Sequence, residues 1–325
     1  MSKIMFIGDT HLTGQAPSSR KETNEQYREL LISKLESCRQ ICLNQDIKTV
    51  IIEGDVFNNN SGIMNSFEIE IWSKFLDFKK EGIEVYSIVG NHDMIFQSEQ
   101  EFKGSYIYKA FLAGIIKHLD TLQIGPIGIV GVDYNKDYKK ASDIFPNNKY
   151  NICVAHAFYE NERFGGTGNS NLTDEKCVDL GYNAYVLGHD HSPYDIIDIH
   201  NYKVIRTGSL TRGTSKTCNL YRKVKVSVFD ISTLEWTEVE IPTKPGKEVF
   251  NEKVVLSKDL DVNLEQLLEN FSASRGMNIY DIIDSHKEEG QKKLGDKYDE
   301  VIDLITQHCE SVGIYRKLDE NDNKE

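Results

Sequence analysis

A chain of 325 residues with 39% hydrophobic content and a net charge of −13 is long enough for one large core or a core plus a small appendage. No apolar run reaches the ~20 residues that cross a bilayer, and the N-terminus enters a strand-like run without a signal-peptide pattern, so a cytoplasmic protein is expected. The acidic total excludes the broad basic footprint of a typical nucleic-acid binder. The charge is segregated, however: His200–Phe229 holds no Asp or Glu but contains Lys203, Arg206, Arg212, Lys216, Arg222, Lys223 and Lys225, whereas Lys258–Glu325 has 17 acidic and 9 basic residues, a net of −8.

Residues 3–7 read as a buried strand ending at Gly8-Asp9, and 23–45 as a helix with Tyr27, Leu30, Leu31, Leu35, Cys38, Ile41 and Cys42 on its apolar side. Thr49–Glu53 is a strand ending at Gly54-Asp55, residues 65–81 form a helix, and Glu84–Val89 is a strand ending at Gly90-Asn91-His92-Asp93. This alternation predicts an α/β fold with crossover helices. Ile127–Val132, Asn151–Ala155 and Ala184–Leu187 follow as strands. The β-branched stretch 194–240 reads as consecutive antiparallel strands, with Lys223 and Lys225 on the solvated face of an edge strand. Pro242–Gly246 is a linker or turn, Val249–Leu256 a strand, and polar amphipathic helices follow. The six cysteines are scattered without a CxxC pair and read as buried, reduced thiols.

Polar clusters recur where strands end: Asp9-x-His11, Asp55, Asn91-His92-Asp93, His156 and His189-x-His191. In open α/β sheets, ligands collect beyond the carboxyl ends of strands, so these clusters can converge on one crevice. Imidazole and carboxylate suit Mn, Fe or Zn, and no thiolate accompanies them. In the D-x-H and H-x-H pairs, extended backbone points both side chains the same way.

These five blocks resemble those of the calcineurin-like metallophosphoesterases over about residues 3–240. The resemblance implies a four-layer α-β-β-α sandwich, here with a small, mainly helical C-terminal extension. The expected division is 1–243 for the phosphoesterase domain and 244–325 for a reduced cap and partner-binding segment. It implies two divalent ions, with Mn first and Fe, Zn or Mg as alternatives. Asp9, His11 and His191 would hold one ion, Asn91, His156 and His189 the other, and Asp55 would bridge them. Such a pair, about 3.5–4 Å apart, clamps a phosphodiester and makes a bound water acidic enough to attack phosphorus in line. By motif position His92 supports the transition state and protonates the leaving oxygen. Asp93 either orients that imidazole or caps a following helix.

Thr207-Gly208-Ser209-Leu210-Thr211-Arg212 resembles the G-S-x-x-R element of SbcD-type DNA repair nucleases, and Asp55-Val-Phe57 their G-D-x-F. That likeness implies a DNA exonuclease or endonuclease working in repair or recombination with a coiled-coil ATPase of the SbcC type; it implies no membrane partner and leaves a homodimer open. Ser209, Arg212 and Lys216 become candidate phosphate contacts. Asn58 stands where the family places a His, and His11-Leu-Thr-Gly14 departs mildly from its H-L-G. Phe158 and Tyr159 either stack on bases or pack their loop. In the acidic tail, Leu264, Leu267, Leu268 and Phe271, then Tyr298, Val301, Ile302, Ile305 and Cys309, form two apolar stripes: either one packs on the core and the other enters a partner groove, or both complete the fold. The alternative function is hydrolysis of a cyclic nucleotide or other small phosphate ester.

Overall fold

The computed structural model describes residues 3–58, 65–94, 102–160, 172–192, 196–199, 201–213 and 218–251, with a few positions between 287 and 306. The chain divides into two compact units, Met1–Val254 and Val255–Glu325. In the second unit, Tyr298 is helical and buried and Ile302 is helical and half-buried; Leu264, Leu267, Leu268, Phe271, Val301, Ile305 and Cys309 lie outside the described residues. No helix among the described residues is long and apolar enough to cross a membrane.

The first unit is built on two six-stranded sheets. One contains β1 (Lys3–Ile7), β2 (Thr49–Ile52), β3 (Glu84–Ser87), β4 (Lys117–His118), β13 (Lys225–Asp230) and β14 (Glu235–Glu240), in the order β14-β13-β1-β2-β3-β4. The other contains β5 (Thr121–Ile124), β6 (Ile127–Val132), β7 (Tyr150–His156), β10 (Ala184–Gly188), β11 (Ile197–Ile199) and β12 (Tyr202–Ile205), in the order β11-β12-β10-β7-β6-β5. A two-stranded ribbon, β8 (Tyr159–Glu160) with β9 (Leu172–Thr173), stands apart.

Side-chain alternation explains the layering. Along β1, Met5 and Ile7 join the cluster that includes Leu31, Leu35 and Cys38 of helix α1 (Asn24–Asn44) and Ile71 and Phe75 of helix α2 (Asn65–Lys80). Ile4 and Phe6 point the other way, into a core shared with Ile129, Ile152, Val154 and Val186 of the second sheet. The outer face of that sheet, with Cys153, Tyr185 and Val204, packs against Cys177 and Leu180 of the helix Asp174–Leu180. The result is helix, sheet, sheet, helix, as expected. Helix α1 starts at a capping box in which Thr23 and Gln26 satisfy each other's backbone N–H.

Two expectations need correction. The 194–240 stretch is not one run of antiparallel strands: β11-β12 and β13-β14 are separate hairpins on different sheets. The edge is β14, so Lys225 and Lys223 face a neighbouring strand's acids, Glu238 and Glu240, and pair with them. Further on, Gly246–Val249 forms a helical turn and Phe250 an isolated antiparallel bridge with Arg20; residues 252–256 of the expected strand lie outside the described residues. The four cysteines at 38, 42, 153 and 177 are free and buried.

Candidate metal centre

The parallel strands β1, β2, β3, β7 and β10 deliver all the expected ligands beyond their carboxyl ends. Two donor groups form. Asp9, His11, Asp55 and His191 offer atoms within 4.8 Å of one another, and so do Asp55, His156 and His189. Asp55 belongs to both. In the first group, His11 Nε2 lies 2.8 Å from His191 Nε2 and 3.7 Å from Asp55 Oδ2, and His191 Nε2 is 3.4 Å from Asp9 Oδ2. In the second, Asn91 Oδ1 stands 3.0 Å from His156 Nε2 and 2.9 Å from His189 Nδ1, while His156 Nε2 is 3.3 Å from Asp55 Oδ2.

The loops that carry these groups are tied to one another and strained. His11, Asp55 and His189 have φ of 41°, 47° and 84°, a region non-glycine residues avoid at a cost of about 1–3 kcal/mol each. His11 N and Leu12 N donate to the carbonyls of Asp55 and Val56 at 2.9 Å, locking the first two loops together. His189 N donates to both oxygens of Asp9. A Cβ at Gly90 would come within 2.1 Å of Asp55 Oδ1, and one at Gly188 within 2.2 Å of the Glu53 carbonyl, so only glycine fits these approaches.

The donor set fits divalent metal. Burial pushes His11 down to about 3, and burial with the neighbouring His156 takes His189 down to about 4, so both rings are neutral, the form that ligates. Burial pushes Asp55 upward, but His156 outweighs it and holds the carboxylate below its usual range. Burial pulls His156 down, yet Asp55 dominates and raises it to about 9. His156 Nδ1–H donates to the Glu53 carbonyl at 2.8 Å, which turns Nε2 toward the crevice. Nitrogen and oxygen donors without thiolate match Mn, Fe or Zn.

His92 is exposed, and its ring meets that of His11 edge-on with centroids 4.9 Å apart. Its Nδ1–H donates to the Asn58 carbonyl at 2.7 Å, leaving Nε2 as the free ring nitrogen. Asp93 does not orient it. That carboxylate is 1% exposed and accepts from Val56 N, Phe57 N and Gly90 N, clamping the Asp55 loop to the Asn91 loop. Burial, reinforced by Asp55, raises it to about 7.

The segment after β12 is placed differently from expectation. Ser209 and Arg212 are 2% and 3% exposed. The Ser209 hydroxyl donates to the Thr211 carbonyl, and Arg212 Nη2 donates to the Lys244 carbonyl. Thr211 and Gly213 line a cleft of about 310 Å³ with His11 and His191, while Arg212 lines a different cavity. Lys216 lies outside the described residues. Of the other cations in this stretch, Lys203 pairs with Asp198, Arg206 with Asp190, and Arg222 with the carbonyls of Ser209 and Thr211. Tyr159 is buried against Asp174, and Phe158 packs edge-on against His189 at 4.2 Å.

Sequence reasoning missed two neighbours. Glu53 is fully buried beneath the site, accepts from Thr207 Oγ1 at 3.0 Å and leaves Oε2 without a partner. Burial, then the charge of Asp9, pushes it well above the usual carboxylate range. An acid closing the apolar run Val-Ile-Ile was the available signal. Tyr134 lies with its ring 5.4 Å from His189 and 6.0 Å from His156, held by Tyr134 N donating to the Val89 carbonyl. Nothing in its loop marks it.

The family model of the calcineurin-like phosphoesterases matches residues 2–193, a span that includes every donor of both groups. The chain belongs to that family. Within it, a curated relative is the DNA double-strand break repair protein Mre11 of Nanoarchaeum equitans, 30% identical over 162 residues, which are 49% of this chain and 42% of the relative. The chain thus matches less than half of that relative's length. Among solved structures, a dimetal phosphatase from Danio rerio covers 74% of this chain and 99% of its own at 10% identity and a TM-score of 0.46. A 5'-nucleotidase from Candida albicans covers 82% and 58% at 13% identity and a TM-score of 0.42.

Proposed function

We propose that this phosphoesterase is a metal-dependent DNA nuclease, the nuclease subunit of an SbcCD-like repair or recombination complex. The observation that carries the phosphodiester chemistry is the pair of donor groups sharing Asp55. The choice of DNA rests on the identity to a double-strand break repair protein and on the Thr207–Arg212 and Asp55–Phe57 motifs.

In this reading Asp9, His11 and His191 hold one ion, Asn91, His156 and His189 the second, and Asp55 bridges. When bound, the pair, with Mn first among the candidates, supplies a Lewis-acid clamp on the phosphate and lowers the pKa of a water. His92, with Nδ1–H given to the Asn58 carbonyl, would act in its doubly protonated form, passing the Nε2 proton to the leaving oxygen and becoming neutral. Asp93 keeps the Asp55 and Asn91 loops in register by its three backbone hydrogen bonds. The acidic segment 258–325 serves a protein partner, the coiled-coil ATPase.

A second reading, hydrolysis of a small phosphate ester, draws on one observation: among the described residues, the cleft beside His11 and His191 is lined without Lys or Arg. The separating experiment supplies Mn and follows single-stranded and duplex DNA beside a small bis-aryl phosphodiester, with and without the ATPase. Degradation of DNA supports the nuclease. Turnover of the small ester with both DNA forms untouched, ATPase present, rejects it.

A further inference from the structure

On the far face of the 209–213 segment from the metal cleft lies a cavity of about 500 Å³ against helix α1. Three cations that line it are almost wholly buried: Arg20 at 5%, Lys34 at 2% and Arg212 at 3% exposure. Arg20 is satisfied. It pairs with Glu22 through Nε and Nη2 at 3.0 and 2.7 Å, and gives Nη1 to the Arg212 carbonyl at 3.0 Å. The other two are not. Lys34 Nζ donates to the Leu210 carbonyl at 2.8 Å, and Arg212 Nη2 to the Lys244 carbonyl; Arg212 Nε has no partner. Among the described residues, neither Lys34 nor Arg212 has a carboxylate in ion-pair contact; the half-buried Glu22 is paired with Arg20.

A guanidinium and a lysine amine buried side by side without a carboxylate in ion-pair contact are a costly arrangement that packing alone does not favour. An apolar residue of Lys34's size would complete the stripe Tyr27–Leu31–Leu35–Cys38 on the same helix. We propose that this cavity is an oxyanion site, taking one phosphate-class anion between Lys34 and Arg212. Arginine with unspent donors beside a lysine is the donor set that phosphate oxygens accept. At its mouth the lining also holds the exposed Lys21, Lys244, Glu29 and Glu248. Burial, then Arg20, Arg212 and Arg222, pushes the Lys34 ammonium well below its usual range, a strain that a bound anion relieves. The proposal is independent of the nuclease reading and of any bound metal.

The site also touches the metal centre through the chain. Lys34 and Arg20 hold the carbonyls of Leu210 and Arg212, and Leu210 N donates to the Asp9 carbonyl at 2.9 Å.

The test uses the full chain, stripped of metal by a chelator, so that phosphate has no ion to ligate. Inorganic phosphate and adenosine monophosphate are titrated separately at constant ionic strength, with chloride as the control, by calorimetry and thermal melting. Saturable binding of one phosphate group per chain is expected, with a rise in melting temperature that chloride does not reproduce. Preference for inorganic phosphate identifies a free ion as the ligand, and preference for the monophosphate a nucleotide. Arg212→Met and Lys34→Met should each weaken binding at least ~10-fold, while Asp55→Ala should leave it unchanged. Failure of wild type to saturate with either ligand at millimolar concentration overturns the site, whether or not the variants fold. So does equal affinity in a folded Arg212→Met protein.

Discussion

The two cavities on either side of residues 209–213 are opposite in kind. The cleft on one side reaches His11 and His191 and is otherwise neutral; the cavity on the other is built around buried cations. One short irregular segment, bent at Leu210 and Thr211, serves both: Thr211 and Gly213 line one cavity and Arg212 the other. Position after a metal-ligand motif therefore does not decide which chemistry a residue meets. The local bend of the chain and the contacts that fix it do.

The largest expected effect falls on the metal side. Asp55→Ala removes the only donor common to both groups, so it should lose at least one ion and about 10³-fold or more in kcat/KM. Metal analysis of the purified variant checks this, and two ions retained would end the bridging role. His92→Ala should keep both ions and still lose ~10²-fold in turnover, because its ring lies beside the donors without belonging to either group. Gly90→Ala tests how tightly the loops are interlocked. The added methyl meets the Asp55 carboxylate and should weaken metal binding by ~10-fold or more, measured by competition with a chelating dye.

The next effect sharpens the comparison from the shared segment itself. Arg222 gives hydrogen bonds to the Ser209 carbonyl at 2.8 Å, the Ser209 hydroxyl at 3.0 Å and the Thr211 carbonyl at 2.7 Å. Arg222→Ala should cost about 2–3 kcal/mol of stability in urea denaturation. A loss below that of a bare surface substitution would mean the segment is held by other means.

The smallest effect belongs to a pair that lines neither cavity. The hydrogen bond to Asp133, working against partial burial, raises His118 above its ordinary value near 6.5. Its stabilisation is therefore complete below pH 6.5 and disappears as pH rises through the raised pKa. Denaturation midpoints of wild type and His118→Asn should differ most at acid pH and converge in alkali.

The layered fold and the donor set were legible because both follow from short-range rules. Apolar runs such as Met-Phe-Ile at 5–7 and Val-Ile-Ile at 50–52 can only be buried strands here, and each hands its polar residues to the same end of a parallel sheet. Long-range choices were not legible. Composition does not say that β11-β12 and β13-β14 join different sheets, since each hairpin's alternation suits either. Nor did charge counting along 203–225 reveal that Asp190, Asp198, Glu238 and Glu240 answer its cations in space. Lys34 was invisible for a related reason: it sits within an apolar stripe, where a lone lysine reads as an interruption of the pattern.

The donors run from Asp9 to His191 and come from both sheets. A growing chain that has not yet placed β10 lacks His189 and His191, and neither donor group is complete. Both donor groups are therefore complete only once strands of both sheets are in place. Any ion held early would have to be gripped by the first sheet and β7 alone.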